Sequence, residues 1–401
     1  MRTADQNVKP QPLRRKTSRA FRWLPSFAWQ RLTRKVPAGQ VHLIFALADH
    51  FEPGYVPGQG AARAPYDEQE QQLERWCREY PSIIERWRDN EGRPFVHTYF
   101  FPAEQYDRAH LQRLGEHCHG GWGEIEIHLH HGTQAPDTAD NTRRQLVQFR
   151  DILATDHGCL SCLDDSLTPR YAFVHGNFAL ANSAGGRGCG VDSEMQILAE
   201  TGCYADLTLP TGALHPAQTS KINSLYECAL PLDQRAPHRR GHALRKGRRP
   251  TIFPLIVQGP LMLDFAPSTR SRFARIENGA LTASAPPSLL RLELWKRAAI
   301  SVAGRPDWLF IKLHCHGMDT TQQESVLGES MRRFVQELVE GAGDRREILH
   351  FVSAREMTNI ILAACDGKEG NPGDYRDYRL RLIRGSASPH RDNGSQVILR
   401  A

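Results

Sequence analysis

Aspartate, histidine and asparagine side chains suited to binding a metal or a polar substrate recur at several points of this chain. They are Asp49, His50, His128, His130, His131, His175, Asn177, Asp206, His314 and His316. Imidazole and carboxylate groups are ligands that zinc and similar divalent ions prefer in proteins. The sequence therefore predicts a divalent-metal site, and zinc is the metal that these ligand types fit best.

The His-Leu-His-His run at 128–131 is the strongest part of this pattern. Three imidazoles in four positions, close to two glutamates, have no packing rationale. A pair of imidazoles with one carboxylate makes a metal site that keeps a position open for water, which suits hydrolysis. We expect five residues to supply the metal ligands: Asp49, His50, His128, His130 and His131.

The predicted site residues stand at the ends of buried strands. Apolar runs at 41–48, 123–130, 171–177, 204–209 and 308–314 each predict a strand. In barrel and open α/β folds, function gathers at the carboxyl ends of the strands, so these residues should share one rim. Side chains two apart on a strand share a face, which lets His128 point with His130 and His314 with His316.

Strands and helices alternate along most of the chain. Further strands are predicted at 95–101 and 348–352, about seven in all, with amphipathic helices between them. Thr321 with Glu324, and Ser353 with Glu356, form capping-box patterns at the start of two helices. Strict alternation implies a parallel sheet, so we predict an α/β fold with a closed or nearly closed barrel.

The chain divides into three regions. Residues 1–38 form a basic N-terminal arm, residues 39–366 a (β/α)-barrel catalytic domain, and residues 367–401 a flexible, poorly ordered tail. Within the domain, residues 211–285 are turn-rich. They predict a long insertion with its own short strands around 251–265.

Positive charge is concentrated in two segments. The formal net charge is +6, but residues 1–35 and 235–250 are strongly basic and the remainder is acidic. A generally basic surface for nucleic acid is therefore not expected. No apolar run has the length of a membrane span. Nine cysteines without an apolar secretory leader favour the cytoplasm.

The N-terminal arm interleaves aromatic side chains with arginines. Phe21, Trp23, Phe27 and Trp29 all lie in this stretch. The pattern suits a helix on a membrane surface, and it suits equally an arm that packs its aromatic side chains on the barrel. Both alternatives stay open, so peripheral membrane contact through the arm is one of two expectations.

Six motifs make the chain resemble the polysaccharide deacetylase superfamily, in particular a branch associated with bacterial exopolysaccharide gene clusters. They are Ala-Asp-His-Phe-Glu-Pro (48–53), Glu-Ile-His-Leu-His-His-Gly (126–132), Val-His-Gly-Asn-Phe-Ala-Leu (174–180), Gly-Cys-Tyr-Ala-Asp (202–206), Lys-Leu-His-Cys-His-Gly (312–317) and Ser-Ala-Arg-Glu-Met (353–357). Their order is that of the superfamily, and the resemblance covers about residues 41–378.

The resemblance implies a distorted (β/α) barrel in which a metal activates water against an N-acetyl group. It also implies an aspartate as base and a histidine as acid, and His314 matches the position of the acid. A metal lowers the pKa of its water, and amide cleavage needs a proton for the departing amine. Because Asp49-His50 replaces the superfamily's Asp-Asp pair, two assignments stay open. Either Asp49 is the base and His50 a ligand, or Asp49 is a ligand and the base lies elsewhere.

Three functions fit these features. The leading one is deacetylation of N-acetylated sugars in an exopolysaccharide or its lipid-linked precursor. The residues expected to contact this carbohydrate are His175, Asn177, Asp206 and His316. A glycoside hydrolase would need two carboxylates flanking the bond, which Asp49 and Asp206 could supply. A catalytically silent sugar-binding or scaffold protein would bind metal and hydrolyse no acetylated sugar.

Overall fold

Strands and helices alternate along the chain in the computed structural model, which describes residues 22–59, 62–163, 166, 168–265 and 275–383. The helices are α1 (Leu24–Thr33), α2 (Tyr66–Ile84), α3 (Arg108–His117), α4 (Ala139–Thr155), α5 (Glu194–Thr201), α6 (Leu289–Arg297), α7 (Glu324–Leu327), α8 (Glu329–Glu340) and α9 (Ala354–Cys365). The strands are β1 (Val41–His50), β2 (His97–Pro102), β3 (Gly123–Leu129), β4 (Ser161–Leu163), β5 (Tyr171–His175), β6 (Cys203–Asp206), β7 (Leu225–Cys228), β8 (Gly241–Ala243), β9 (Leu255–Val257), β10 (Met262–Asp264), β11 (Arg275–Glu277), β12 (Trp308–Cys315), β13 (Glu347–Phe351) and β14 (Leu380–Leu382).

A large, mostly parallel sheet is the centre of this mixed α/β fold. Its strands lie in the order β12-β1-β2-β3-β5-β6-β9-β7-β8, and β13 pairs with the first half of β1. The pairs from β12 to β9 are parallel, whereas β7 runs antiparallel to β8 and β9. The predicted α/β class with a parallel sheet is confirmed. The pairings among the described residues do not show a closed barrel.

The sheet separates two apolar layers. The odd-numbered side chains of β1 from Val41 to Leu47 pack with apolar residues of α2, α3, α4, α5, α6 and α8. The even-numbered ones from Ile44 to Ala48 pack with α9, every residue of which is buried. We call the two sides of the sheet the outer face and the α9 face. Because side chains alternate along a strand, neighbours at the end of β1 point to different faces.

The two predicted capping boxes differ in outcome. Ser353 and Glu356 exchange hydrogen bonds between side chain and backbone at the start of α9, so this capping box is confirmed. The one predicted at Thr321 and Glu324 is wrong. The hydroxyl of Thr321 donates to Asp319, a competing local acceptor, and Gly328 separates α7 from α8.

The region predicted as an insertion, 211–285, contributes strands to the central sheet. Strand β9 lies parallel to β6, and β7 and β8 extend the sheet beyond it. Strands β10 and β11 form a separate antiparallel pair. The short strands expected around 251–265 correspond to β9 and β10. Since β9 is only three residues long, periodicity gives no sign that it joins the sheet.

The N-terminal arm packs on the body within its described part. Trp23 and Phe27 are buried, and the indole N–H of Trp23 donates to the carbonyl of Ala213 at 3.0 Å. Trp29 is 68% exposed, so contact with a membrane surface stays a prediction. Residues 1–21, which include Phe21, lie outside the described residues. No helix of the described chain is long and apolar enough to cross a membrane.

The structure orders residues 367–383, where composition predicts a poorly ordered tail. Arg376 forms ion pairs with Asp89 at 2.7 Å and Glu91 at 3.0 Å, and β14 pairs with β4. These partners are distant in sequence, so local composition does not reveal them. The rest of the predicted tail, 384–401, lies outside the described residues.

Candidate metal centre

Asp49 and His50, at the end of β1, point to opposite faces of the sheet. The carboxylate of Asp49 lies on the outer face, where it accepts hydrogen bonds from His97 at 3.0 Å and from the N–H of Gly317 at 2.7 Å. His50 lies on the α9 face, and its ring centroid is 4.8 Å from that of His128 and 4.6 Å from that of His316. The structure therefore brings His50 to His128 and His316 and places Asp49 in a different group.

Glu52 is the carboxylate around which these histidines gather. Two groups of three residues share it, and within each group the ligand atoms lie within 4.8 Å of one another. The groups are His50, Glu52 and His316, and Glu52, His128 and His130. We call these five residues the Glu52 cluster. Imidazole and carboxylate groups at this spacing could hold a divalent metal ion.

His128 and His130 are both turned towards the same oxygen of Glu52. Nδ1 of His128 donates to the carbonyl of Val174 at 2.8 Å, so Nε2 keeps its lone pair in the neutral ring and lies 3.4 Å from Oε1 of Glu52. Nδ1 of His130 lies 2.6 Å from Glu104, and its Nε2 lies 3.8 Å from the same Glu52 oxygen. Metal-binding histidines characteristically have one nitrogen held by an acceptor while the other binds the metal.

Glycine at position 176 makes room for the ring of His130. Gly176 follows β5, and a Cβ built there would lie 2.4 Å from Cδ2 of the His130 ring. Such a distance is far inside van der Waals contact, so any larger residue would displace the ring or the strand end. The glycine therefore contributes to the direction in which His130 points.

Burial and neighbouring groups set the charges in the Glu52 cluster. Burial, followed by the imidazole of His316, holds the pKa of His50 well below its usual value. Burial raises the pKa of Glu52, but His130, His128 and His316 lower it to about 2. Burial lowers the pKa of His130, but Glu52 and Glu104 raise it to about 9. The cluster thus combines an ionised carboxylate with a neutral imidazole at His50, which is the state that binds a metal, whereas His130 must release its Nε2 proton before that nitrogen can bind one.

One side of the Glu52 cluster is accessible. The side chains of His130 and Glu104 are 23% and 25% exposed. Phe178 is half-buried, its ring centroid is 5.6 Å from that of His50, and its φ is 56°. A non-glycine residue at positive φ costs of order 1–3 kcal/mol, and such strain occurs most often at functional sites. A half-buried aromatic ring therefore lies beside the cluster.

His314 lies beside the Glu52 cluster, with its ring centroid 6.5 Å from that of His50. Within the described residues, Nδ1 of His314 has no hydrogen-bond partner although it is buried. Burial, and next the charge of Lys312, keeps the pKa of His314 well below its usual value. His314 is therefore a neutral group at rest beside the cluster.

Asp206 and Lys312 form a buried pair of titratable groups near His314. Asp206 accepts from the hydroxyl of Thr208 at 2.8 Å, and Lys312 donates to the carbonyl of Leu207 at 2.8 Å. Burial raises the pKa of Asp206 to about 7 and lowers the pKa of Lys312 to about 7. Asp206 is fully buried, and its contact with a carbohydrate stays a prediction.

Asp49 belongs to a fully buried group on the outer face with His97 and Cys315, which we call the Asp49 cluster. Its bond to the N–H of Gly317 fixes the backbone directly after His316. Neither Asp49 nor Asp206 reaches solvent. The two carboxylates considered for a glycoside hydrolase therefore do not face a common accessible space.

His131 and His175 meet at a third group. His131 Nε2 lies 2.9 Å from Glu194, and His175 Nε2 lies 3.6 Å from the same oxygen. Together with Cys189, these residues have ligand atoms within 4.8 Å of one another, and all four are buried. We call them the Glu194 cluster. The predicted substrate contact Asn177 lies next to it and donates its side-chain N–H to the carbonyl of His131.

Several site residues carry no signal that sequence reasoning used. Glu52 lies two positions after His50, so strand alternation would have placed both on one face. Glu194 follows no predicted strand end, Cys189 lies in a glycine-rich loop, and Glu104 comes shortly after the predicted strand 95–101 but outside any histidine-containing motif. Only the three-dimensional contacts bring these three residues to the histidines.

Compared with models of known protein families and with curated proteins, the chain gives no match. The case for its function therefore depends on the geometry of the three clusters.

Proposed function

We propose that the protein is a metal-dependent hydrolase that deacetylates N-acetylated sugars of an exopolysaccharide or its precursor, with its metal at the Glu52 cluster. One observation carries the proposal. His128 and His130 direct Nε2 at one oxygen of Glu52, at 3.4 and 3.8 Å, while their Nδ1 atoms face Val174 and Glu104. Ligand atoms of a tetrahedral zinc site lie roughly 3.3–3.5 Å apart, given metal–ligand bonds of about 2.0–2.2 Å.

The residues present fit a zinc-like ion. The cluster offers nitrogen and oxygen donors, and within the described residues neither Nδ1 of His50 nor Nε2 of His128 has a hydrogen-bond partner. A buried polar atom without a partner is costly, and a bound metal would satisfy it. The partial exposure of His130 leaves access for water and substrate, as a catalytic metal site requires.

When bound, a divalent ion at this site would supply a polarised acyl oxygen and an acidified water. Residues of the chain would position the ligands, transfer the proton and contact the sugar. Glu104 holds the ring of His130, and Asp49 fixes the backbone after His316. His314 is neutral at rest, so it must accept a proton before it can donate one to the departing amine. The ring of Phe178 offers an aromatic surface for the apolar face of a sugar.

The proposal includes the closed form of the fold. We propose that the mostly parallel sheet belongs to a distorted (β/α) barrel whose strand ends carry the Glu52 cluster. The order of strands from β12 to β6 and the parallel pairings support this view.

The test combines metal content with acetate release. Wild type, a His128→Ala/His130→Ala variant and a His242→Ala control, in which an exposed histidine on β8 is removed, are washed with chelator and reloaded with zinc. We expect the double variant to lose the metal of this cluster and to release acetate from N-acetylglucosamine oligomers more than about 100-fold more slowly. The control should match wild type.

Unchanged metal content in the double variant, with normal thermal unfolding, would contradict the proposed centre. Metal loss combined with no acetate release by the wild type from any acetylated sugar would contradict the proposed reaction.

A further inference from the structure

Three segments that are separate in sequence converge on Glu194. His131 follows β3, His175 ends β5, Cys189 lies in the loop after β5, and Glu194 begins α5. All four side chains are buried. Because each offers a ligand atom within 4.8 Å of the others, they form a closed set of two nitrogens, one sulfur and carboxylate oxygen. A closed set of four ligands is typical of a structural zinc site, whereas a catalytic site keeps one position open.

The distances in the Glu194 cluster are close to those around a tetrahedral zinc ion. With zinc bonds of about 2.0–2.2 Å to nitrogen or oxygen and 2.3 Å to sulfur, neighbouring ligand atoms lie roughly 3.3–3.5 Å apart. His175 Nε2 lies 3.6 Å from Oε1 of Glu194, whereas Cys189 Sγ lies 3.5 Å from the other oxygen, Oε2, so one ion would bind both carboxylate oxygens or require a small turn of the Glu194 side chain. Nε2 of His131 lies only 2.9 Å from Oε1 of Glu194, so these two atoms would have to move apart by a few tenths of an ångström to bind one ion.

The neighbours of the cluster are arranged as second-layer partners of a metal site. Asp137 lies 3.0 Å from Nδ1 of His131, which leaves Nε2 for the interior of the cluster. The backbone N–H groups of Asn182 and Val191 donate to Sγ of Cys189 at 3.3 and 3.4 Å. A carboxylate on the far nitrogen of a histidine raises its basicity as a ligand. Burial and the charge of Glu194 raise the pKa of the Cys189 thiol, and the two N–H donors oppose this rise, so a metal would have to displace the thiol proton.

His175 gives an independent indication that a ligand is missing. Its Nε2 is fully buried and has no hydrogen-bond partner within the described residues. The backbone N–H of Asn177 lies 3.1 Å from its Nδ1. Coordination through Nε2 therefore requires the ring proton to be on Nδ1 and this contact to open, which makes His175 the weakest of the four ligands.

We propose that the Glu194 cluster binds a second metal ion, a structural zinc, through His131, His175, Cys189 and Glu194. On binding, the thiol proton of Cys189 and any proton on Nε2 of His131 leave to solvent, whereas the ring proton of His175 moves from Nε2 to Nδ1. The ion ties the loops after β3 and β5 to the start of α5. Its ligand His131 adjoins His130 in the chain, so the second ion fixes the turn from which His130 reaches the Glu52 cluster.

A close backbone approach supports this locking role. Gly132, at φ +61°, lies so near the loop of Cys189 that a Cβ built on it would meet the Cys189 carbonyl at 1.9 Å. The two loops thus touch without side chains between them, beside the proposed ion.

Zinc X-ray absorption on the intact wild-type protein tests the proposal, because sulfur at a metal can be recognised without any substitution. In a protein that carries two zinc ions per chain, we expect one sulfur ligand per chain at roughly 2.3 Å, which is about half a sulfur scatterer per zinc. The sulfur signal and about one ion should be lost in Cys189→Ser. Both should be kept in Cys315→Ser, the matched control in the Asp49 cluster. His175→Gln should lower zinc affinity less than Cys189→Ser does.

Absence of a sulfur scatterer in wild type, or its survival in Cys189→Ser, would overturn the second site. Failure of the proposed function gives a different result: His128→Ala/His130→Ala would then keep its full metal content, with the sulfur signal unchanged. Should Cys189→Ser not fold, the wild-type spectrum compared with that of Cys315→Ser still decides the question.

Discussion

The Glu52 cluster and the Glu194 cluster are built from the same residue types but differ in access and in completeness. Each has a buried glutamate facing histidines at strand ends: Glu52 faces His128 and His130 at the end of β3, and Glu194 faces His131 after β3 and His175 at the end of β5. The Glu52 cluster has a partly exposed histidine and a half-buried aromatic ring beside it, whereas every member of the Glu194 cluster is buried and one is a cysteine. If the two clusters hold the ions proposed above, exposure more than ligand type distinguishes the reactive metal site from the structural one.

Residues next to each other in the chain belong to different clusters. His130 reaches Glu52 and His131 reaches Glu194, just as His50 and Asp49 point to opposite sides of the sheet. A run of neighbouring histidines is therefore divided between sites by strand alternation.

The largest effect is expected from Glu52→Gln. Both groups of the Glu52 cluster share this carboxylate, and loss of a direct ligand should exceed the 10–100-fold cost of losing an outer partner. We expect acetate release to fall more than about 100-fold, with the sulfur signal of the Glu194 cluster unchanged. Retention of wild-type activity would remove Glu52 from the centre.

Glu104→Gln should have the next largest effect. Glu104 accepts from His130 without belonging to the cluster itself, so we expect a 10–100-fold loss in metal affinity or activity. Glu74→Gln is the matched control, because Glu74 makes an exposed ion pair with Arg113, which is worth at most about 1 kcal/mol. Equal effects of the two substitutions, measured by zinc titration, would argue against the orienting role.

Gly176→Ala tests the space beside His130. The added Cβ would overlap the ring, and such overpacking typically costs about 1–3 kcal/mol of unfolding free energy. The rate of acetate release should fall as well, because the His130 ring would be displaced. Gly115→Ala in α3, where nothing lies within 4 Å of the added Cβ, should instead stabilise the protein by about 0.5–1 kcal/mol. Denaturant unfolding measures the free energy of unfolding of both variants. A Gly176→Ala variant with the stability and activity of wild type would contradict the described position of His130.

The smallest loss of activity is expected from Asp49→Asn. If Asp49 only positions the backbone after His316, the substitution should lower kcat by about tenfold or less and leave metal content unchanged, while the disturbed buried hydrogen bonds cost about 1–3 kcal/mol of stability. An aspartate that binds the metal or acts as base, as the sequence suggested, would instead make Asp49→Asn as inactive as Glu52→Gln. Metal analysis and steady-state kinetics separate these outcomes.

Strand positions were predictable because buried strands leave apolar runs of recognisable length. β1, β3 and β12 lie where the sequence predicts strands, and their polar carboxyl ends carry His50, His128 and His314. Pairings across the sheet have no such local signature, so the part played by β9 was not foreseen.

The histidines of the candidate site could be named from sequence, but their grouping could not. The motif that contains Asp49 drew attention to an aspartate whose carboxylate is turned away from His128. Which residues of β1 lie on the outer face and which on the α9 face follows only once the start of the strand is fixed. Glu104 and Glu194 come from segments whose approach depends on the packing of the whole chain.

Anomalous diffraction at the zinc absorption edge, from crystals of the zinc-loaded protein, tests the central claim most directly. The account predicts a peak between Glu52 and the Nε2 atoms of His128 and His130, separate from any peak at the Glu194 cluster. A zinc-loaded crystal with no peak at the Glu52 cluster, or with a peak at Asp49 in its place, would contradict this account.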